Sequence, residues 1–294
     1  MEAIMNKKFL LVPLVVLTLV SLACSVTINL PDTKTKVGDT VSETINVPLP
    51  SNQTVPAEVS ISFGAGTLKI QPGATEGIIS GSARYNVAEL KPVVTTNGNS
   101  VSVTQGSFKL KGLPTFGSDV VNEWDLAFAN TPMSLVIKAG AYEGNYELGG
   151  LSINRLEVTD GASKVSLGFT TPNQVEMTTL KYSTGASEVK ISGLGNANVD
   201  AVSFTGGAGS YTLDFSGTLQ RNMTVSIDSG VSSVTILVPT GVAAQVTSES
   251  SLTSVMSSSS WQQSGNTYQQ SGSGYKITIL VKMGAGSLQL ENSK

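Results

Sequence analysis

Seven glycines in this chain carry the same arrangement of apolar residues around them. With the glycine as zero, apolar side chains fall at −5, −3, +4 and +6: Leu156, Val158, Val165 and Leu167 around Gly161, and Leu180, Tyr182, Val189 and Ile191 around Gly185. Gly207 is framed by Val202, Phe204, Tyr211 and Leu213, Gly230 by Val225, Ile227, Val234 and Ile236. Gly64 has Val59, Ile61, Leu68 and Ile70, and Gly284 has Ile279, Val281, Leu288 and Leu290. Gly140 keeps Leu135, Ile137 and Tyr146 but has Gly144 at +4. Alternation at period two on both sides of the glycine means two short strands with one buried and one solvated face. The glycine marks a bend where a Cβ would meet neighbouring backbone or where φ must be positive.

Gly161, Gly185, Gly207 and Gly230 recur at intervals of 24, 22 and 23 residues. A repeat of that length buries its apolar edges only by stacking unit on unit. The expected fold is therefore all-β, a β-solenoid or single-stranded β-helix-like stack, with no helix beyond an N-terminal signal segment. Leu151 and Ile153, and Val175 and Met177, stand in phase before the next strands and predict a third short strand in each rung. Five or so rungs would make a stubby rod.

The glycine segments also carry a resemblance. Ile61 to Ile70 around Gly64-Ala65-Gly66, Tyr85 to Pro92, Asn122 to Leu126, Ala139-Gly140-Ala141, Gly206 to Phe215 and Met283 to Gly286 resemble bacterial toast-rack proteins. In these, an N-terminal toast-rack domain precedes a Gly-Ala-Gly repeat region. That region is similar to cell-wall-active antibiotic response proteins and to candidate auto-transporter adhesin head domains. The resemblance covers residues 40–294. It implies a stacked β-fold outside the cytoplasm, with adhesion or envelope-stress signalling as its roles, and it carries no catalytic residue over. The response proteins begin with membrane helices where this chain has a removable signal, which weights adhesion above sensing.

Composition narrows the chemistry. The chain has no histidine, so the commonest general base and metal ligand are missing. A formal net charge of −3 and only three arginines, Arg84, Arg155 and Arg221, argue against nucleic acid, which requires a basic stripe. One cysteine, Cys24, forms neither an internal disulfide nor a thiolate metal cluster. No cofactor is expected.

Lys7 and Lys8 precede an uncharged apolar run that ends at Ala23. This is the layout of a secretory signal peptide over residues 1–23, with Met5 as an alternative start. Cys24 directly after it resembles a bacterial lipoprotein site, although Ser21 stands where that pattern prefers Leu. A lipid on Cys24 would hold the protein at a membrane, since buried CH₂ groups contribute about 0.8 kcal/mol each. Ordinary export is the other reading, and both put the rest of the chain outside the cytoplasm. Residues 24–52 read as a tether, with residues 44–47 a candidate first strand. Residues 53–130 read as the N-terminal toast-rack unit and 131–294 as the repeat solenoid. Asn97-Gly98 between alternating runs signals a two-residue hairpin.

Several constellations invite chemistry. Glu123 and Asp125 flank Trp124 as a conceivable glycosidase acid pair, but period two sends Trp124 inward and both acids to water. Ser187 and Lys190 match Ser-x-x-Lys spacing, yet on a strand they point opposite ways. The segment from Gly206 resembles a calcium β-roll repeat with Tyr211 where the acid belongs. Asp160, Asp200, Asp214 and Asp228 read as turn residues. Trp261 and Tyr268, set among Gln262, Gln263, Gln269 and Gln270, could contact a glycan. The competing reading, favoured here, is a loop folded back over the open end of the stack. The expected function is a non-enzymatic, lipid-anchored envelope module whose partners are the membrane and a cell-wall polymer or envelope protein. A carbohydrate-binding or carbohydrate-cleaving β-helix is the alternative.

Overall fold

In the computed structural model, which describes residues 37–106, 119–250 and 252–293, the corner glycines stand in file. The strands are β1 (Val41–Val47), β2 (Ala57–Pro72), β3 (Ile79–Tyr85), β4 (Pro92–Asn97), β5 (Ser100–Gln105) and β6 (Asn122–Phe128). Next come β7 (Met133–Glu147), β8 (Ile153–Thr159), β9 (Ala162–Gly168), β10 (Met177–Ser192), β11 (Val199–Asp214) and β12 (Met223–Pro239). The last are β13 (Val242–Ser248), β14 (Leu252–Ser257), β15 (Trp261–Ser264), β16 (Thr267–Gln270) and β17 (Ser273–Ser293). The described residues fall in one unit by their contacts. Cys24 and the signal segment lie outside the described residues.

Each rung is one long strand bent at its glycine, or a pair of strands split there. Parallel pairing stacks them in the order β5 with β6, β2, β7, β8 with β9, β10, β11, β12, β17, β13 with β14. The stack is taller than the five or so rungs expected, because both split terminal rungs and β7 join it. Register is strict. Val101, Val59, Leu135, Leu156, Leu180, Val202, Val225, Ile279 and Val246 form one column of buried apolar side chains. A slip by one residue anywhere would turn a whole limb's apolar set to water, so burial itself fixes the pairing.

The chain does not fill the stack in order. β2 lies inside the later β5–β6 rung, and β17, the last strand, slots between β12 and the earlier β13–β14 rung. Antiparallel strands cover the ends: β4 on β5, β3 and then β1 on β6, β16 and then β15 on β13.

The seven-residue step from −3 to +4 is odd, so the alternation must slip at the corner. It does so by turning two successive residues outward: Gly185 and Ala186 are exposed between buried Thr184 and Ser187. The reason for glycine is direct. A Cβ on Gly185 would lie 2.5 Å from the Gly161 carbonyl oxygen, and one on Gly140 2.3 Å from that of Gly64. The Gly185 amide donates to the same Gly161 oxygen at 3.0 Å. At the split terminal rungs, side chains take over that role. Gln105 Oε1 accepts the Gly64 N–H at 2.7 Å, and Ser250 Oγ accepts the Met283 N–H at 2.9 Å.

One further expectation needs correction. The third short strand is absent among the described residues: Leu151 and Val175 lie in loops, while Ile153 and Met177 open β8 and β10. The return side is closed by buried Phe169, Leu194 and Phe215 and by Asn173, whose side chain bonds the Ile153 and Val175 carbonyls at 2.8 and 2.7 Å. The only helical turns among the described residues are 3-10, Ala88–Leu90 and Leu194–Ala197. The candidate first strand at residues 44–47 is part of β1, which pairs with β3 along its length. The hairpin at Asn97-Gly98 does form, with Gly98 (φ +58°) and Asn99 as its two loop residues. Between the two expected domains the sheet is continuous, because β2 and β7 pair from Ala57 and Met133 to Ile70 and Tyr146.

Two substitutions in one rung separate corner from face. Gly185→Ala should cost about 1–3 kcal/mol in denaturant unfolding by overpacking the corner. Lys190→Asp, on the solvated face of the same strand, should stay within about 0.5 kcal/mol of the parent.

Candidate functional site

The inner corner of the stack is polar where the limbs are apolar. The residue before each corner glycine points inward, and in one rung it is Asp160, only 7% exposed. Its Oδ2 accepts from the Tyr182 hydroxyl at 2.6 Å and the Tyr142 hydroxyl at 3.2 Å, and its Oδ1 accepts from Thr184. Thr184 is also bonded to Ser187 (2.6 Å), which accepts from the Ser163 amide and hydroxyl (3.0 Å each). Tyr146 donates to the Tyr142 hydroxyl at 2.9 Å. Three successive rungs thus converge on one carboxylate.

Gly144, the exception at +4, is explained here. A Cβ there would lie 2.8 Å from the Tyr142 ring and 3.1 Å from that of Tyr146, so glycine makes room for the pair. Burial pushes the phenols of Tyr142 and Tyr182 far above their ordinary value, with the negative charge of Asp160 adding to the effect. They therefore stay protonated and keep donating. Three hydroxyl donors meet the hydrogen-bonding capacity of the buried carboxylate. The cluster is buried, and the Thr184 hydroxyl stands between the Asp160 carboxylate and Ser187. Its chemistry is cohesion between rungs. Asp160 is thus not the turn residue expected from the sequence, and the sequence offered no signal beyond a lone acid at an inward position.

The remaining candidates are separated by the fold. Trp124 is buried, while Glu123 pairs with Arg84 at 2.6 Å and Asp125 with Lys69 at 3.0 Å on the outer face. Ser187 points into the corner and Lys190 to water. Tyr211 is in the core, Asp200 pairs with Arg221 at 2.8 Å, and Asp214 accepts the Ser216 N–H at 2.9 Å. Arg155 bonds Glu157 at 3.1 Å and Arg221 also reaches Glu176 at 2.7 Å, so the three arginines serve separate ion pairs. Among the described residues no group of three or more metal-ligating side chains occurs, and no helix is long and apolar enough to cross a membrane.

Trp261 and Tyr268 are each 6% exposed. Their hairpin, β15–β16, pairs with β13, and Gln270 bonds the Pro239 and Val242 carbonyls at 2.8 and 3.0 Å. The two rings are turned into the core and offer no platform to a sugar. The segment is the cap over the open end, and the glutamines that gave it a surface look are partly spent on holding it there.

A family model, the N-terminal domain of toast_rack (DUF2154), matches residues 36–192 and again 172–237. The chain belongs to the toast-rack family. The second match begins inside the first, as a stack of like rungs would produce, and together they cross residue 130. Curated proteins include no match to this toast-rack chain. Among solved structures it is similar to a candidate cell adhesion protein from Clostridium sporogenes, at 16% identity over 87% of this chain and 100% of that one, with a TM-score of 0.46. A candidate adhesin from Bacteroides fragilis has 12% identity over 87% and 97% of the two chains, with a TM-score of 0.46. A candidate lipid-binding protein from Parabacteroides distasonis has 10% identity over 86% and 97%, with a TM-score of 0.40.

Tyr182→Phe deprives the buried Asp160 carboxylate of its 2.6 Å donor. Thermal and denaturant unfolding should show a loss of about 1–3 kcal/mol with no change in secondary structure.

Proposed function

We propose that this toast-rack protein is a non-enzymatic, lipid-anchored module of the cell envelope whose rigid stacked sheet serves adhesion or another surface interaction. The observation that carries this reading is where the reactive groups go. Ser187 and Asp160 are buried, and the three arginines of the outer face are held in ion pairs with acids, among them Arg84–Glu123, Arg155–Glu157 and Arg221–Asp200. The outer face also carries small hydroxyls in register from rung to rung: Ser210, Ser233 and Ser287 in one column, Thr212 beside Thr235 in the next. Such a surface is suited to a repetitive partner and poor in acid–base chemistry.

Placement outside the cytoplasm rests on the Lys7–Lys8 and apolar segment, and anchoring rests on Cys24. The partners are then the membrane, through the lipid, and a cell-wall polymer or a second envelope protein. An envelope-stress role comes only with the family resemblance. Binding or cleavage of carbohydrate remains the competing function, without the Trp261–Tyr268 platform.

Cys24→Ser should release the protein from membranes and abolish its labelling by palmitate; retention with full label removes the anchor from this reading. The released protein should liberate no reducing sugar from any polysaccharide offered to it, and a single cleaved glycan overturns the non-enzymatic assignment.

A further inference from the structure

Three of the four terminal limbs of the stack end under an antiparallel strand, β5 under β4, β6 under β3 and β13 under β16. The fourth, β14, is bonded to β17 on one side and to nothing on the other among the described residues. Its outward side chains lie open, with Leu252 73% and Met256 55% exposed, while Thr253 and Val255 are half-buried. Other outermost strands carry devices that discourage pairing. β1 holds Glu43, bonded to Lys91 at 2.7 Å; β4 begins with Pro92; β15 is four residues long. β14, Leu-Thr-Ser-Val-Met-Ser, has no charge, no proline and no glycine, which leaves its edge a template for another strand.

We propose that β14 is a homophilic docking edge that pairs antiparallel with β14 of a second copy about a two-fold axis at Ser254. The register is set by the strand itself. The Ser258 N–H bonds the Leu290 carbonyl at 2.9 Å, so by alternation residues 252, 254 and 256 bond β17 while Thr253, Val255 and Ser257 present their amides and carbonyls to the free edge. A two-fold at Ser254 places Thr253 opposite the other copy's Val255, both with free groups, which closes hydrogen-bonded pairs on each side of the axis. It also places Leu252 opposite the other copy's Met256 in non-hydrogen-bonded positions, where side chains approach closest. The two most exposed large apolar side chains of this strand therefore cover each other. A copy shifted by one residue would set outward side chains against inward ones. The antiparallel direction is the one used at the other three ends.

One short strand pair is a weak contact, made effective by many copies on a surface. β14 lies at the end of the stack opposite β1, by which the described chain enters. The inference thus deepens the adhesion reading by naming the partner, and rests on it only for where the contact is made: two chains anchored through their N-termini would meet tip to tip.

Sedimentation of the full chain in detergent tests the pairing. At about 100 μM the parent should dimerise, and Met256→Lys should weaken the dimer about tenfold with an unchanged circular dichroism spectrum. The double variant Leu252→Glu/Met256→Lys should recover dimerisation, because the introduced carboxylate then faces the introduced ammonium of the other copy twice. A monomeric parent, or a double variant no better than Met256→Lys, overturns the proposal. Vesicles bearing the lipidated chain should clump with the parent and not with Met256→Lys; dimers in detergent that never bridge vesicles would sink the adhesion reading and leave the pairing standing.

Discussion

The close approach of one rung's corner to the next governs this structure. The carbonyl of each corner glycine lies where the following rung's Cβ would be, at 2.3 to 3.2 Å along the file from Gly64 to Gly284. Removing the side chain lets the corner stay in the same hydrogen-bonded register as the limbs, so the sheet bends without breaking. Everything apolar then follows. Once corners are aligned, residues at −5, −3, +4 and +6 fall into columns, and a core one side chain thick runs the length of the stack. Burial of each column at about 25 cal/mol per Å² is shared between neighbours, which is why no rung would hold alone.

Polar groups inside such a core must bring their partners with them, and the corner is where they can. At period two the residues before and two after the glycine both point inward, close together, across neighbouring rungs. Thr184 and Ser187, and Ser229 and Ser232, bond each other there at 2.6 and 2.8 Å. Asp160 extends the same device to a charge. Its three donors come from positions 18, 22 and 24 residues away, so the carboxylate is satisfied only when three rungs are in register. A buried polar group that loses its partners costs about 1–3 kcal/mol, so the cluster penalises a rung that is out of register.

The repeat was legible because its signal is local: each glycine and its four apolar neighbours span twelve residues, and the period-two phase survives any choice of partner. Partner order was not. β12, β17 and the β13–β14 pair carry the same apolar phase, so nothing in the residues says that β17 slides between the other two. The Asp160 cluster was missed for the same reason, as its donors, Tyr142, Tyr182 and Thr184, come from different rungs and only Tyr182 belongs to the apolar pattern. For Trp261 and Tyr268 the favoured reading, a segment folded back over the end of the stack, agrees with the pairing of β16 on β13. Serine and glutamine around them suggested a surface, but short antiparallel strands bury one face whatever the composition of the other, and these two rings lie on the buried one.

The same insertion has a consequence for how the stack closes. At each end a later or earlier strand is enclosed by a split rung, so β17 contacts both β12 and the terminal pair, 54 residues upstream for Val225–Ile279 and 33 for Val246–Ile279. Such pairings form only after long loops have closed, and non-local parallel contacts are slow to form. The rungs from β7 to β12 can stack as they follow one another in sequence, whereas the ends wait for the enclosing strands. Gln105 and Ser250 then supply by side chain the acceptor that a missing corner peptide would have given. The terminal rung is therefore not an added domain. It is the repeat itself, cut at its glycine and finished with side-chain oxygens, which leaves one limb, β14, with the open edge that every internal rung uses to hold its neighbour.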